Sequence, residues 1–161
     1  MLAGEILRRA SCRFPDKAAI VEGSRSLTYA AFDAAADRCA LALANAGCGK
    51  GDRIAAVTAT CLEFCVLYYG AARAGVVLAA ISPRATAAEL TYMLIKIETR
   101  ALFYGRGTNA LVAVARGTVP SLERRVALHA AASGEDQTLS AFTAPSGHPP
   151  DILPRPCPRL P

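Results

Sequence analysis

Three short apolar segments, separated by two stretches with a helical pattern, constrain the fold of this chain more than any other feature. Their sequences are RIAAV, VVLAAI and RALFYG, at residues 53–57, 76–81 and 100–105. The apolar residues are consecutive rather than alternating, which is typical of strands buried on both faces. Between them, apolar side chains recur at helical spacing. The order predicts an α/β fold, with a partial parallel sheet and helices on both of its faces.

Both intervening helices have sequence signals at their ends. Thr60 and Glu63 stand three residues apart at one expected helix start, and Thr86 and Glu89 do so at the other. This is the spacing of a capping box, in which each side chain accepts a hydrogen bond from the other residue's backbone N–H. Gly75 then follows the first helix, where a left-handed cap is expected. The helices are therefore expected to start at these threonines.

The segment before the first apolar strand is predicted to hold a helix, a hairpin and a second, longer helix. The first helix is expected over 2–13, and two short strands over 18–23 and 25–29, around a turn at Gly23. Thr28 is a suitable N-cap for the long helix, which is expected to end near Gly47.

The glycine-rich loop 47–51, GCGKG, is not expected to bind phosphate. A phosphate-binding loop runs from a strand into a helix, so that backbone N–H groups and the positive end of the helix dipole face the anion. Here the helix comes first, so its negative end is nearby. We interpret the loop as a helix-to-strand turn.

Ligands of such parallel sheets bind beyond the carboxyl ends of the strands. In this chain those ends are the loops 58–60, 82–84 and 104–108.

Composition excludes several classes of function. The net charge is +5, but the arginines are scattered, without the basic stripe of a nucleic-acid surface. No apolar run approaches the roughly 20 residues of a membrane span, and the N-terminus lacks the apolar core of a signal peptide. We therefore expect a cytoplasmic protein that binds no nucleic acid.

The cysteines and histidines do not predict a metal site. The six cysteines, at positions 12, 39, 48, 61, 65 and 157, include no C-x-x-C pair, and the two histidines, His129 and His148, are not at ligand spacing. We expect the cysteines to be small buried side chains in a reducing compartment and the histidines to be surface or incidental residues.

From Phe14 to Gly105 the chain resembles the start of the adenylate-forming acyl-CoA synthetases, the fatty-acid–CoA ligase branch especially. The matching pieces are PDK before a short strand, LTY entering a helix, GKGDR entering a strand, AARAGVVLAAISPR, and TAAEL. The resemblance implies an ATP-dependent, magnesium-assisted reaction in two steps, through an acyl-adenylate to a coenzyme A thioester. The family's phosphate loop and its other catalytic motifs do not occur in this sequence, and no catalytic residue is carried over.

The resemblance therefore predicts a fatty-acid–CoA ligase truncated before the phosphate loop and inactive alone. Residues 1–130 would be an incomplete N-terminal subdomain, and 131–161 a low-order tail, since seven of the last seventeen residues are proline. For the chain alone we expect no cofactor; the full-length family uses ATP, Mg and coenzyme A. The alternatives are a non-catalytic interaction module and one half of a split synthetase.

Two arginines on the ligand-side loops, Arg84 and Arg106, are candidates for phosphate contact, the alternative being that both are exposed rim charges. An unrelated nucleotide-binding α/β protein is disfavoured, because it requires a glycine loop from strand to helix. A separately encoded remainder of the enzyme is a possible partner. Self-association is expected, since an incomplete parallel sheet leaves an edge open.

Overall fold

The computed structural model describes residues 3–115, 117–129 and 136–144. A two-stranded antiparallel hairpin precedes a five-stranded parallel sheet. The hairpin strands are β1 (Ala18–Glu22) and β2 (Arg25–Thr28); the sheet strands are β3 (Arg53–Val57), β4 (Val77–Ile81), β5 (Ala101–Tyr104), β6 (Arg124–Ala127) and β7 (Gln137–Thr138). The helices are α1 (Ala3–Arg13), α2 (Tyr29–Asn45), α3 (Leu62–Ala74), α4 (Ala87–Lys96), α5 (Asn109–Val114) and α6 (Leu139–Phe142).

The sheet has the strand order β4-β3-β5-β6-β7, and every neighbouring pair is parallel. Ala55 of β3, at its centre, is in register with Ala79 of β4 and Leu102 of β5. The predicted parallel arrangement of the three apolar segments is therefore confirmed. β7 and α6 lie beyond residue 130, where the subdomain was expected to end, so the sheet continues past that boundary.

Helices cover both faces of the sheet, as predicted. Alternate strand residues such as Ile54 and Phe103 pack in one apolar cluster with α1, α2 and α3. Their neighbours Ala55 and Leu102 pack in a second cluster with α4 and α5. β3 and β5 are buried on both faces, which requires consecutive apolar residues. The expectation of a fully buried strand is wrong for β4, where only Ile81 is buried, because β4 lies at the edge of the sheet.

The helix starts agree with the sequence prediction at two positions and differ at a third. Thr28 accepts a hydrogen bond from Ala31 N at 3.2 Å, and Thr86 forms the predicted capping box with Glu89. The capping box predicted for Thr60 is wrong: the N-cap of α3 is Cys61, whose side chain makes no cap hydrogen bond. A residue of the hairpin takes the role predicted for Thr60: Glu22 Oε2 accepts a hydrogen bond from Leu62 N at 3.2 Å and so caps α3.

The glycine-rich loop is a helix-to-strand turn, as predicted, at the amino ends of the strands. Gly47 and Gly51 have φ angles of 79° and 89°, which favour glycine. Asp52 Oδ2 accepts hydrogen bonds from Gly49 N at 2.8 Å and from Arg100 Nη1 at 2.9 Å. These contacts lower the pKa of Asp52, the backbone hydrogen bond being the larger cause. The loop therefore binds a carboxylate of its own chain.

Most of the cysteines that the structure describes agree with the expectation. Cys39, Cys48 and Cys61 are buried and Cys65 is half-buried, all as free thiols, and burial raises the pKa of each. Cys12 is the exception, because it is exposed on α1 and disulfide-bonded rather than a buried free thiol. Within the described ranges no helix has both the length and the apolar character needed to span a bilayer. Of the expected tail 131–161, only residues 136–144 are described, and His148 and Cys157 lie outside the described residues.

Candidate functional site

A cavity of about 540 Å³ opens at the carboxyl-end side of β6 and β7. The first turn of α3 and the middle of α2 form its other walls. Its floor is apolar and includes Leu62, Val66 and Leu128. Its charged and titratable lining residues are Arg25, Arg38, Glu63, Arg106 and His129. This is the edge of a parallel sheet at which ligands bind.

The loop after β5 is held against the loop after β3 by a glycine. A Cβ atom on Gly105 would lie 2.1 Å from Thr58 Oγ1 and 2.8 Å from Thr58 Cβ. Gly105 N also donates a hydrogen bond to Val57 O at 3.0 Å. The buried hydroxyl of Thr108 donates to Gly105 O at 2.8 Å, which fixes the turn from the other side. The turn thereby presents Arg106 at the rim of the cavity.

The structure does not bring the two predicted phosphate contacts together. Arg106 is exposed and lines both the large cavity and a smaller adjoining one of about 110 Å³. Arg84 is exposed in the turn after β4, at one edge of the sheet, and lines neither cavity. The two side chains therefore face separate parts of the carboxyl-end surface.

An ion-pair network connects the hairpin to the start of α3. Arg25 Nη2 donates to Glu63 Oε1 at 2.6 Å and to Glu22 Oε2 at 3.0 Å. The pKa of Arg25 is raised, mainly by the hydrogen bond to Glu63 and next by the negative charge of Glu63. Glu22 also accepts the hydrogen bond from Leu62 N that caps α3. The hairpin thus positions the first turn of α3, a role that the sequence pattern predicted for Thr60.

Three potential metal ligands meet at the wall of the cavity. The donor atoms of Cys61, Glu63 and His129 all lie within 4.8 Å of one another. His129 Nδ1 lies 3.5 Å from Glu63 Oε2, and both side chains are largely buried, with 13% and 18% of their surface exposed. The prediction of a surface histidine is therefore wrong for His129. No local pattern indicates this cluster, because β6 lies far along the chain from α3 and only the sheet order brings them together.

The ATP site implied by the resemblance is not formed by the part of the chain that the structure describes. In that part no glycine-rich loop with a lysine runs from a strand into a helix, and the glycine-rich loop 47–51 lies at the opposite edge. The carboxylates nearest the cavity, Glu22 and Glu63, are bound to Arg25 rather than arranged as an oxygen-only site for Mg²⁺.

A family model described as AMP-binding enzyme matches residues 7–158. The chain belongs to the AMP-binding enzymes. Among curated members, the long-chain-fatty-acid–CoA ligase FadD13 of Mycobacterium tuberculosis is 32% identical over 171 residues, covering 93% of this chain and 34% of that protein. The chain therefore spans about a third of the length of this relative.

Two solved structures are similar to this chain in fold and in sequence. Apo MbtA of Mycobacterium smegmatis is 30% identical with a TM-score of 0.84, over 98% of this chain and 30% of that one. The N-terminal domain of FACL13 of M. tuberculosis, solved with an inhibitor, is 29% identical with a TM-score of 0.81, over 94% and 37% respectively. The predicted family and its N-terminal fold are both confirmed.

Proposed function

We propose that this chain supplies the N-terminal part of an adenylate-forming acyl-CoA ligase and has no ligase activity by itself. One observation carries the proposal: the match to FadD13 covers 93% of this chain but only 34% of that enzyme. A fatty acid is the proposed substrate class, since FadD13 is named for long-chain fatty acids. Residues 1–130, extended by β7 and α6, would make up this part.

The proposed inactivity has an electrostatic reason. The transition state of adenylate formation places negative charge on the α-phosphate, and it is stabilised only by donors already in position. The phosphate loop that the resemblance implies would supply such donors, and its motif does not occur in this sequence. In the complete enzyme, ATP would supply the adenylate, Mg²⁺ would neutralise phosphate charge, and coenzyme A would supply the thiol. This chain would contribute the sheet and the rim arginine Arg106; Arg84 would lie further from any ligand in the cavity.

The open edge of the sheet favours a second form of the proposal, in which the chain is one half of a split synthetase. Among the described strands, β4 lies at the edge of the sheet, and Val77 at its start is 54% exposed. A separately encoded remainder would cover this region. We propose that the assembled protein acts in the cytoplasm.

ATP–pyrophosphate exchange with a long-chain fatty acid tests both forms. The chain alone is expected to give no exchange, and full-length FadD13 serves as the positive control. The chain co-expressed with a polypeptide carrying the remainder of FadD13 is expected to give exchange and thioester. The matched control is FadD13's own N-terminal third with the same remainder.

Two results would overturn the proposal. Exchange by the purified chain alone would disprove inactivity. Activity in the matched control, but none in a folded complex that contains this chain, would disprove a ligase role for it.

A further inference from the structure

We propose that Cys61, Glu63 and His129 bind a divalent cation of the zinc class. The site lies in the wall of the cavity, between the start of α3 and the loop after β6. It does not depend on the ligase role and uses none of the arginines proposed for phosphate contact.

The three donors come from rigid parts of the fold. Cys61 is the N-cap of α3, and Glu63 lies in the helix's first turn. His129 follows β6, whose end is fixed because Leu128 N donates a hydrogen bond to Tyr104 O at 2.8 Å. The donor atoms lie within 4.8 Å of one another. Ligands of one zinc ion each lie about 2.0–2.3 Å from it, so small side-chain rotations bring this set into range.

The unmet hydrogen-bonding capacity of Glu63 indicates an absent partner. Glu63 Oε2 is buried and accepts no hydrogen bond from the described residues. Its nearest charged contact is His129 Nδ1 at 3.5 Å, an ion pair only when the histidine is protonated, and a buried carboxylate oxygen without a hydrogen bond is costly. Its other oxygen, Oε1, is held by Arg25, so the carboxylate is already oriented with Oε2 towards His129. A cation between Oε2, Nδ1 and the Cys61 sulfur would satisfy it.

The donor types select the metal. A thiolate, an imidazole and one carboxylate suit zinc and other borderline-soft cations, whereas Mg²⁺ prefers oxygen ligands only. Glu63 and His129 line the cavity, so a fourth position can face solvent or a ligand. The charges also balance, since a divalent cation and Arg25 would face two carboxylates, Glu22 and Glu63, and one thiolate. On binding, the thiol of Cys61 releases its proton to solvent.

Metal titration of the whole chain tests the proposal. We expect one equivalent of Zn²⁺ or Co²⁺ to bind, and bound Co²⁺ to show a thiolate-to-metal charge-transfer band. Mg²⁺ should not compete. Each of three substitutions should weaken Zn²⁺ binding at least about tenfold: Cys61→Ser, Glu63→Gln and His129→Gln. Even the loss of a residue that only hydrogen-bonds to a metal ligand usually lowers metal affinity by about 10–100-fold.

Two substitutions serve as matched controls. Cys65→Ser removes a half-buried thiol one turn further along α3, and His148→Gln removes the chain's other histidine; neither should change the affinity. Circular dichroism shows whether each variant is folded, and Glu63→Gln keeps the shape of the side chain. The proposal is wrong if wild-type protein binds no equivalent of Zn²⁺, or if folded Cys61→Ser and His129→Gln proteins bind it as tightly as wild type.

Discussion

Gly105 and Thr58 lie so close that no side chain fits between them. A Cβ atom on Gly105 would be 2.1 Å from Thr58 Oγ1. This contact sets the separation of the loops after β5 and β3, and with it the position of the cavity rim. It also explains why the apolar segment RALFYG ends in a glycine.

Gly105→Ala is expected to lower the free energy of unfolding by about 1–3 kcal/mol, the usual cost of overpacking a well-packed site. Urea denaturation followed by circular dichroism measures it. Gly49→Ala is the matched control, since a Cβ atom on Gly49 would meet no other atom within 4 Å among the described residues. Equal stability of the two variants would contradict the close contact.

Replacement by alanine should affect stability differently at two of the predicted helix starts, Thr86 and Thr60. Thr86 Oγ1 accepts a hydrogen bond from Glu89 N at 3.2 Å, and Thr86 N donates to Glu89 Oε2 at 2.8 Å. Thr86→Ala should therefore cost about 1 kcal/mol of stability. Thr60 is exposed and is not the N-cap of α3, so Thr60→Ala should change stability little. Similar losses in thermal or chemical denaturation would restore Thr60 as a cap.

Arg73 joins α3 to α1 and α2. It donates to Asp37 Oδ1 at 2.7 Å and to Asp33 O at 2.8 Å, forms an ion pair with the Asp33 carboxylate, and has 11% of its side chain exposed. Arg73→Met should destabilise the chain by about 1–3 kcal/mol, because the largely buried Asp33 carboxylate loses one of its two cationic partners, while Arg8 still pairs with it. Arg53→Met, which breaks the exposed pair with Glu98, should cost no more than about 1 kcal/mol. Chemical denaturation of both variants compares them, and equal losses would contradict the difference.

Acid should weaken the turn at the amino ends of the strands. Hydrogen bonds from Gly49 N and Arg100 lower the pKa of Asp52 in the folded protein. The ionised Asp52 carboxylate therefore stabilises the folded protein fully above the pKa that it has in the unfolded chain, about 3.9 for an aspartate. This stabilisation is lost as the pH falls through the lower pKa that Asp52 has in the folded protein. Asp52→Asn should make the free energy of unfolding less dependent on pH below about 4. Exposed Asp16→Asn is the control, and an unchanged pH dependence in Asp52→Asn would contradict the assignment.

Local patterns predicted the centre of the sheet because β3 and β5 are apolar and buried on both faces. The strands RIAAV, VVLAAI and RALFYG and the cap at Thr86 depend on residues within one or two turns of chain. The start of α3 could not be predicted in this way, since Glu22 reaches Leu62 from the hairpin. Nor could the cluster of Cys61, Glu63 and His129, which requires the order of the strands.

The strand β7 was missed for another reason. It has only two residues, Gln137 and Thr138, too few to show any periodicity. It forms because β6 offers a free edge with which it can pair in parallel register.

The association state of the purified chain tests most directly the claim that it is one part of a larger enzyme. Large apolar side chains are exposed on β4, α4 and α5, at Val77, Tyr92, Ile95 and Val114. Exposed edges and apolar patches promote association. Size-exclusion chromatography with light scattering should show that the chain associates, and a thermal melt with a hydrophobic dye should show dye binding. Association and dye binding should both decrease when the chain is co-expressed with the remainder of an acyl-CoA ligase. A clean monomer with a sharp, cooperative melt and no dye binding would contradict the account.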